Sequence, residues 1–178
     1  MPFTLQQLSD AEDIKILKHR YFRAIDMADE ALLQTLFTDD VKVDYRGGAY
    51  LVRINGKAQM IDFVLTSFNS DAAGMHHGHM PEITFINNDE AEGIWYLEDI
   101  FISLERKDFT IGSALYKDRY RRVDGAWKIA VSEYDRIMEV VEPLTATKNL
   151  TVHYLAKHGR PPGQRSDISH LITWLKAP

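Results

Sequence analysis

The side chains that can move protons cluster in a few short stretches of this chain. The densest is Met75-His76-His77-Gly78-His79-Met80. An imidazole titrates near neutrality, so modest surroundings make it an acid or a base. If the stretch is a strand, alternation puts His77 and His79 on one face and His76 on the other. A metal site would need further ligands in a fixed geometry, and the chain has neither a His-Glu-x-x-His helix nor a cysteine, so no metal is expected. Two readings remain: a hydrogen-bonded cluster at a strand end, or one catalytic histidine oriented by a carboxylate. Asp99 is the natural carboxylate. It shares a strand face with Trp95, Leu97 and Phe101, and a carboxylate among apolar neighbours must be paired. An arginine on a neighbouring strand would pair it structurally; the histidine would pair it functionally, and that second arrangement is the favoured expectation.

Three further positions carry the same ambiguity. Tyr21 falls on the apolar stripe of a helix, where tyrosines are commonly core. Asp26 follows near the helix end as a cap or surface group, and five residues is not a same-face spacing, so the two converge only if the helix stops there. Tyr45 sits among strand residues. Arg136 shares strand parity with Tyr134, Met138 and Val140; it either pairs with a carboxylate or a ligand oxygen, or belongs to a strand that outruns its sheet.

No Gly-x-Gly-x-x-Gly, phosphate-binding loop or Gly-x-Ser-x-Gly elbow occurs. Histidine, aspartate, tyrosine and arginine in an apolar setting suit proton abstraction with loss of a small leaving group, not hydride transfer. The chain has 178 residues, 45% hydrophobic and 26% charged, as expected for one globular domain. Net charge is -5 with signs interspersed; the local Arg119, Arg121, Arg122 cluster is flanked by Asp118 and Asp124, so no nucleic-acid partner is expected. Without cysteine there are no disulfides, thiolate ligands or cysteine nucleophiles. Met1-Pro2-Phe3-Thr4 does not read as a leader, and no apolar run approaches membrane-spanning length. A cytoplasmic enzyme without a membrane partner is the expectation.

The elements that position these residues can be read from periodicity. Ser9-Asp10-Ala11-Glu12 has the form of a capping box opening a helix to about Ile25, with Ile14, Leu17, Tyr21 and Ala24 inward and Lys15, Lys18, His19 and Arg20 largely off the stripe. A short second helix carries Leu32, Leu33, Leu36 and Phe37 and ends at Thr38-Asp39-Asp40. Strands are expected at Val41 to Tyr45 and Tyr50 to Val52, a third helix at Ala58 to Phe68, and a loop at Asn69 to Gly74. Strands then follow at Ile83 to Ile86, Glu92 to Leu104, Thr110 to Val123 and Ala126 to Val141, the last two joined by an Asp124-Gly125 hairpin. Helices followed by antiparallel strands indicate an α+β fold, three helices against one bent sheet, with a pocket at the wide end of the resulting cone. Beyond Pro143 the pattern weakens to a linker at Arg160-Pro161-Pro162-Gly163 and a short helix within Asp167 to Leu175. Residues 1–142 thus form the domain, and 143–178 an extension packing on it or on a neighbouring subunit.

These motifs, in this order, resemble the SnoaL-like branch of the nuclear-transport-factor-2-like superfamily, which includes polyketide cyclases, scytalone dehydratase and ketosteroid isomerase-like enzymes. Within it the likeness runs most strongly to the bile acid 7α-dehydratases. It rests on Arg20-Tyr21-Phe22-Arg23-Ala24-Ile25-Asp26, Met75-His76-His77-Gly78-His79-Met80-Pro81-Glu82-Ile83 and Trp95-Tyr96-Leu97-Glu98-Asp99. Tyr116-Lys117-Asp118-Arg119-Tyr120, Asp124-Gly125-Ala126-Trp127 and Tyr134-Asp135-Arg136-Ile137 extend it. The resemblance implies a cone-shaped, curved antiparallel sheet packed on three helices of the N-terminal half, a homodimer or homotrimer, and no cofactor. It places Tyr21, Asp26, Tyr45, His76, Asp99 and Arg136 at the site: His76 as base and later proton donor, Asp99 orienting it, Tyr21 donating to developing negative charge, Asp26 supporting Tyr21, and Arg136 holding an acidic partner or substrate oxygen. Trp95, Tyr134, Tyr45 and His79 are the expected contacts of a small hydrophobic substrate. The implied activity is a dehydratase-type lyase on a steroid-like or aromatic compound. Alternatives are formaldehyde release from lignin-type aromatics, isomerisation, a non-catalytic ligand carrier, or a subunit accompanying an oxygenase. Where the bile acid enzymes carry a tyrosine in the loop before the Thr110 strand, this chain has Arg106-Lys107-Asp108-Phe109.

Overall fold

Helix α1 (Leu5–Asp26) starts a turn before the predicted Ser9 box, because Thr4 and Gln7 form the reciprocal cap instead. Asp10, predicted to help open the helix, is buried within it: it accepts from the Trp127 indole at 3.2 Å and pairs with Arg122 at 2.8 Å. The computed structural model describes residues 3–146 and 148–175; the first two residues of the Met1-to-Thr4 segment lie outside the described residues.

After α1, the Asp29 carboxylate caps the short α2 (Glu30–Leu36) by accepting from the Leu32 N–H at 2.9 Å. The chain extends at once into β1 (Phe37–Arg46), so Thr38-Asp39-Asp40 begins the strand rather than ending the helix. β2 (Tyr50–Asn55) and α3 (Lys57–Ser67) fall where periodicity places them. β3 (Ala72–Phe85) absorbs part of the predicted loop and unites the histidine stretch with Ile83. β4 (Glu90–Ser103), β5 (Asp108–Val123) and β6 (Ala126–Pro143) complete an antiparallel meander. Asp124 and Gly125, both at positive φ, form the tight turn between β5 and β6.

The seven strands make one curved open sheet in the order β3-β4-β5-β6-β1-β2-β7. All neighbours run antiparallel except β1 and β6, which pair in parallel. The apolar faces of α1, α2 and α3 pack against this sheet, with Ile14, Leu33, Met60, Trp95 and Ile129 fully buried between them.

The segment predicted as a helix within Asp167 to Leu175 is instead a 3-10 turn (Ser169–Leu171) followed by β7 (Ile172–Trp174), which pairs with β2. A single helical turn, α4 (Leu155–His158), buries Leu155. The predicted linker is anchored: Arg160 pairs with Asp62 at 2.7 Å, and Arg165 reaches Asp71 and Glu105. Among the described residues no helix is long and apolar enough to cross a membrane.

One glycine sets the height of β3 under α1. A Cβ at Gly78 would stand 2.3 Å from the ring of Phe22, which is buried and stacks on His76. Gly78→Ala is therefore expected to displace that ring and cost about 1–3 kcal/mol, the usual range for overpacking. Urea unfolding measures it; an unchanged midpoint contradicts this packing.

Candidate active site

A cavity of about 380 Å³ opens between the helices and the sheet, within the size range of small-ligand pockets. Its walls are mostly apolar, with Ile25, Met60, Phe63, Phe68 and Leu97 prominent, and Ile172 and Trp174 of β7 close one side. Besides an Arg106–Asp108 pair at 2.8 Å, its polar groups include three sets.

The first is His76 with Asp26. The last residue of α1 points its carboxylate at edge strand β3: Asp26 Oδ2 accepts the His76 backbone N–H at 3.1 Å, and Oδ1 lies 2.6 Å from His76 Nδ1. The imidazole is almost fully enclosed, stacked on Phe22 and edge-on to Phe68. With Nδ1 held by a carboxylate, Nε2 is the nitrogen left to exchange a proton. The second set is Arg136 with Asp99, a two-pronged guanidinium–carboxylate pair with one bond at 2.8 Å. Glu139 Oε2 lies 3.1 Å from Arg136 Nε. Burial disfavours the Arg136 charge, but the bond to Asp99, with Tyr50 and Tyr134 adding to it, more than compensates and holds its pKa above the ordinary guanidinium value. The third is a tyrosine cluster: Tyr21 and Tyr45 share a hydroxyl–hydroxyl bond of 2.7 Å, Tyr45 stacks on Tyr134 at 4.4 Å, and Tyr134 bonds Tyr50 at 2.6 Å.

The structure departs from several expectations. Asp99 is directly opposite His76 in the β3–β4 register, yet it does not orient the imidazole; its oxygens are taken by Arg136, the structural pairing that the sequence left open. Asp26, expected to support Tyr21, instead bonds the imidazole, and the Tyr21 hydroxyl goes to Tyr45. Trp95, expected as a substrate contact, does not line the cavity: it is fully buried, its indole donating to Tyr120 at 2.8 Å. His79 is exposed on the opposite sheet face, 3.5 Å from Glu98. His77, His79 and Glu98 have donor atoms within 4.8 Å of one another, on that outer face and away from the cavity. Tyr45 and Tyr134 do line the cavity.

Arg136 keeps the predicted company of Tyr134 but not of Met138 and Val140. A bulge at Ile137, where Ala114 pairs with Arg136 and Ser113 with Met138, shifts the parity and turns Glu139 and Val141 toward the cavity. Sequence reasoning also passed over a polar layer beneath the tyrosines. Lys18, assigned to the solvent face of α1, is fully buried, 2.7 Å from Asp118 Oδ2 and 3.6 Å from the Tyr116 ring centre. It is held by the Asp118 charge and the aromatic face. Burial lowers the Lys18 pKa while Asp118 opposes the shift. Asp118 also accepts from Tyr120 and Ser132, both at 2.8 Å. The alternation Ala114, Tyr116, Asp118, Tyr120 is the signal that could have revealed it, being the same pattern that singles out Asp99.

Residues 6–133 match the SnoaL-like domain family. Solved structures share the architecture at low identity. A hexachlorocyclohexane dehydrochlorinase, LinA type 2, is 21% identical with a TM-score of 0.69, over 89% of this chain and 98% of that one. A protein named for scytalone dehydratase from Novosphingobium aromaticivorans is 21% identical with a TM-score of 0.66, over 92% and 100%. Rv3472 from Mycobacterium tuberculosis, of unknown function, is 20% identical with a TM-score of 0.59, over 96% and 95%.

Burial raises the pKa of Tyr21, Tyr45, Tyr116, Tyr120 and Tyr134 above the ordinary 10.0. With folded-state values raised, their contribution to stability is complete below the unfolded phenol pKa and is lost as pH rises beyond it. Alkaline titration should show these phenolate signals emerging only together with loss of far-UV circular dichroism. Their ionisation in a still-folded protein would contradict the packing.

Proposed function

Because the chain belongs to the SnoaL-like family, we propose that its cavity is the active site of a lyase that works through its own side chains on an uncharged, hydrophobic cyclic compound, steroid-like or aromatic. The observation that carries this reading is the two-point hold of Asp26 on His76 inside an apolar cavity. A carboxylate on Nδ1 fixes one tautomer and stabilises the imidazolium that forms when Nε2 takes a proton. His76 removes a carbon-bound proton beside a carbonyl, electrons move toward the ring system, and the bond to a β-oxygen breaks. The imidazolium then returns its proton to the departing oxygen, which leaves as water. The names of two structural neighbours, a dehydrochlorinase and a scytalone dehydratase, denote eliminations of this kind and support the class.

The charges in the cavity support an uncharged ligand. Arg136 is already engaged by Asp99 and Glu139, so a ligand anion would compete with two fixed carboxylates. The exposed apolar residues Ile94, Tyr96, Met138 and Val140, on sheet positions turned from the cavity, favour a homodimer or homotrimer.

Turnover is tested by mass spectrometry on hydroxylated 3-oxo-Δ4 steroids and on lignin-type diaryl compounds bearing a primary alcohol. Loss of water from the steroids is expected; loss of formaldehyde from the diaryl compounds would keep the base and move the substrate class. His76→Ala should reduce kcat by about 10²–10⁴-fold, the usual contribution of a positioned base. Asp26→Asn should be impaired more than Asp99→Asn. Turnover unchanged in His76→Ala contradicts the assignment, and its absence in the wild-type protein supports a ligand carrier.

A further inference from the structure

The direction of every hydrogen bond beneath the tyrosine cluster can be worked out from donors that have no choice. The Trp95 indole can only donate, so the Tyr120 oxygen accepts at 2.8 Å and its hydrogen passes to Asp118 Oδ2 at 2.8 Å. Lys18, 2.7 Å from the same oxygen and fully buried, keeps Asp118 ionised and acceptor-only. Ser132, also fully buried, must therefore give its hydrogen to Asp118 Oδ1 at 2.8 Å. Its oxygen is then the acceptor for Tyr45, at 3.2 Å. Tyr45 has one hydrogen and has spent it, so across the 2.7 Å contact Tyr21 is the donor and Tyr45 the acceptor. Tyr116 is in hydrogen-bond contact with both hydroxyls, and with their hydrogens committed it is the donor there; a phenol oxygen that accepts one such bond keeps a second lone pair for a ligand. The chain runs one way, from Tyr21 through Tyr45 and Ser132 to Asp118.

We propose that the Lys18–Asp118 pair makes Tyr21 a hydrogen-bond acceptor toward the cavity, so the site selects ligands that present a hydroxyl or N–H there. This inverts the role given to Tyr21 by resemblance, where it donates to an oxyanion. It deepens the lyase reading and rests on it for the substrate class: a hydroxylated compound whose hydroxyl gives its hydrogen to Tyr21 and turns its lone pairs elsewhere, among them toward an imidazolium at His76. Ser132 is then a specificity-determining residue that never touches ligand, since it is absent from the cavity wall.

Equilibrium binding of three fluorescent probes tests this without requiring turnover: 2-naphthol, which donates; 2-methoxynaphthalene, which has lost the donor; and 2-acetylnaphthalene, which only accepts. The wild-type protein should bind 2-naphthol about tenfold more tightly than either other probe, the value of one net hydrogen bond. In Ser132→Ala, Tyr45 loses its acceptor and can turn its hydrogen to Tyr21, which then donates into the cavity. The preference should shift to 2-acetylnaphthalene, with every cavity-wall side chain unchanged. Tyr45→Phe should shift it the same way by releasing the Tyr21 hydrogen. Asp99, Asp108, Glu139 and the His76 Nε2 also accept hydrogen bonds in this cavity, but a preference owed to them would survive Ser132→Ala, and that result overturns the proposal. So does wild-type binding of the probes without preference. Binding of no probe overturns both the proposal and an aromatic-ligand site. The predicted switch in a protein that turns over no substrate would leave the proposal standing and remove only the lyase reading.

Discussion

One helix must bring a cation, a phenol and a carboxylate into the interior and find a partner for each, because an unpaired buried polar group costs more than most packing contacts return. Lys18, Tyr21 and Asp26 of α1 meet Asp118 on β5, Tyr45 on β1 and His76 on β3. Those strands span the sheet from its β3 edge to the far side of β6. Three polar contacts therefore fix where the helix lies and how it is rotated, in addition to the apolar stripe. Breaking the deepest of them by removing Asp118 would leave a buried ammonium uncompensated, a loss of about 3–5 kcal/mol. Because the same contacts define the cavity floor and the orientation of the His76 imidazole, the fold and the cavity share one set of constraints.

The cavity separates its charges by function. Arg136 and Asp99 neutralise each other, Lys18 and Asp118 do so below the floor, and His76 with Asp26 is the pair whose second imidazole nitrogen is free to exchange a proton. The charged groups of the cavity thus meet a ligand as pairs rather than as isolated ions. The tail adds the remaining wall: β7 pairs with β2 and places Ile172 and Trp174 beside the cavity, held there by Arg160 and Arg165 on the acids of α3 and the β3 region.

Much of this was legible in the chain, for reasons visible in individual residues. The strand alternation that separates His76 from His77 and His79 depends only on the pleat, and the buried and exposed sides follow it. The Asp124-Gly125 turn is dictated by backbone sterics. The partner of His76 was misjudged because two candidates satisfied the same local rule: Asp99 is its cross-strand neighbour, while Asp26 lies fifty residues away and reaches it only through the packing of α1 on β3. Periodicity says which face a residue occupies, not which of two partners on that face claims it. Lys18 was misplaced because residue type outweighed position; it lies on the buried side of α1 with Leu17, Tyr21 and Ile25. The bulge at Ile137 has no turn residue to announce it, and β7 is too short for alternation to mark.

The central claim is that Asp26, not Asp99, sets the protonation geometry of His76. It is tested most directly by the nitrogen chemical shifts of His76 in protein labelled with nitrogen-15 histidine, recorded for the wild type, Asp26→Asn and Asp99→Asn. The account predicts that the neutral form of the ring is protonated on Nδ1 with a bare Nε2, a tautomer kept in Asp99→Asn and lost or mixed in Asp26→Asn. A His76 protonated on Nε2 in the wild type, or a tautomer that responds to Asp99 and ignores Asp26, would contradict it.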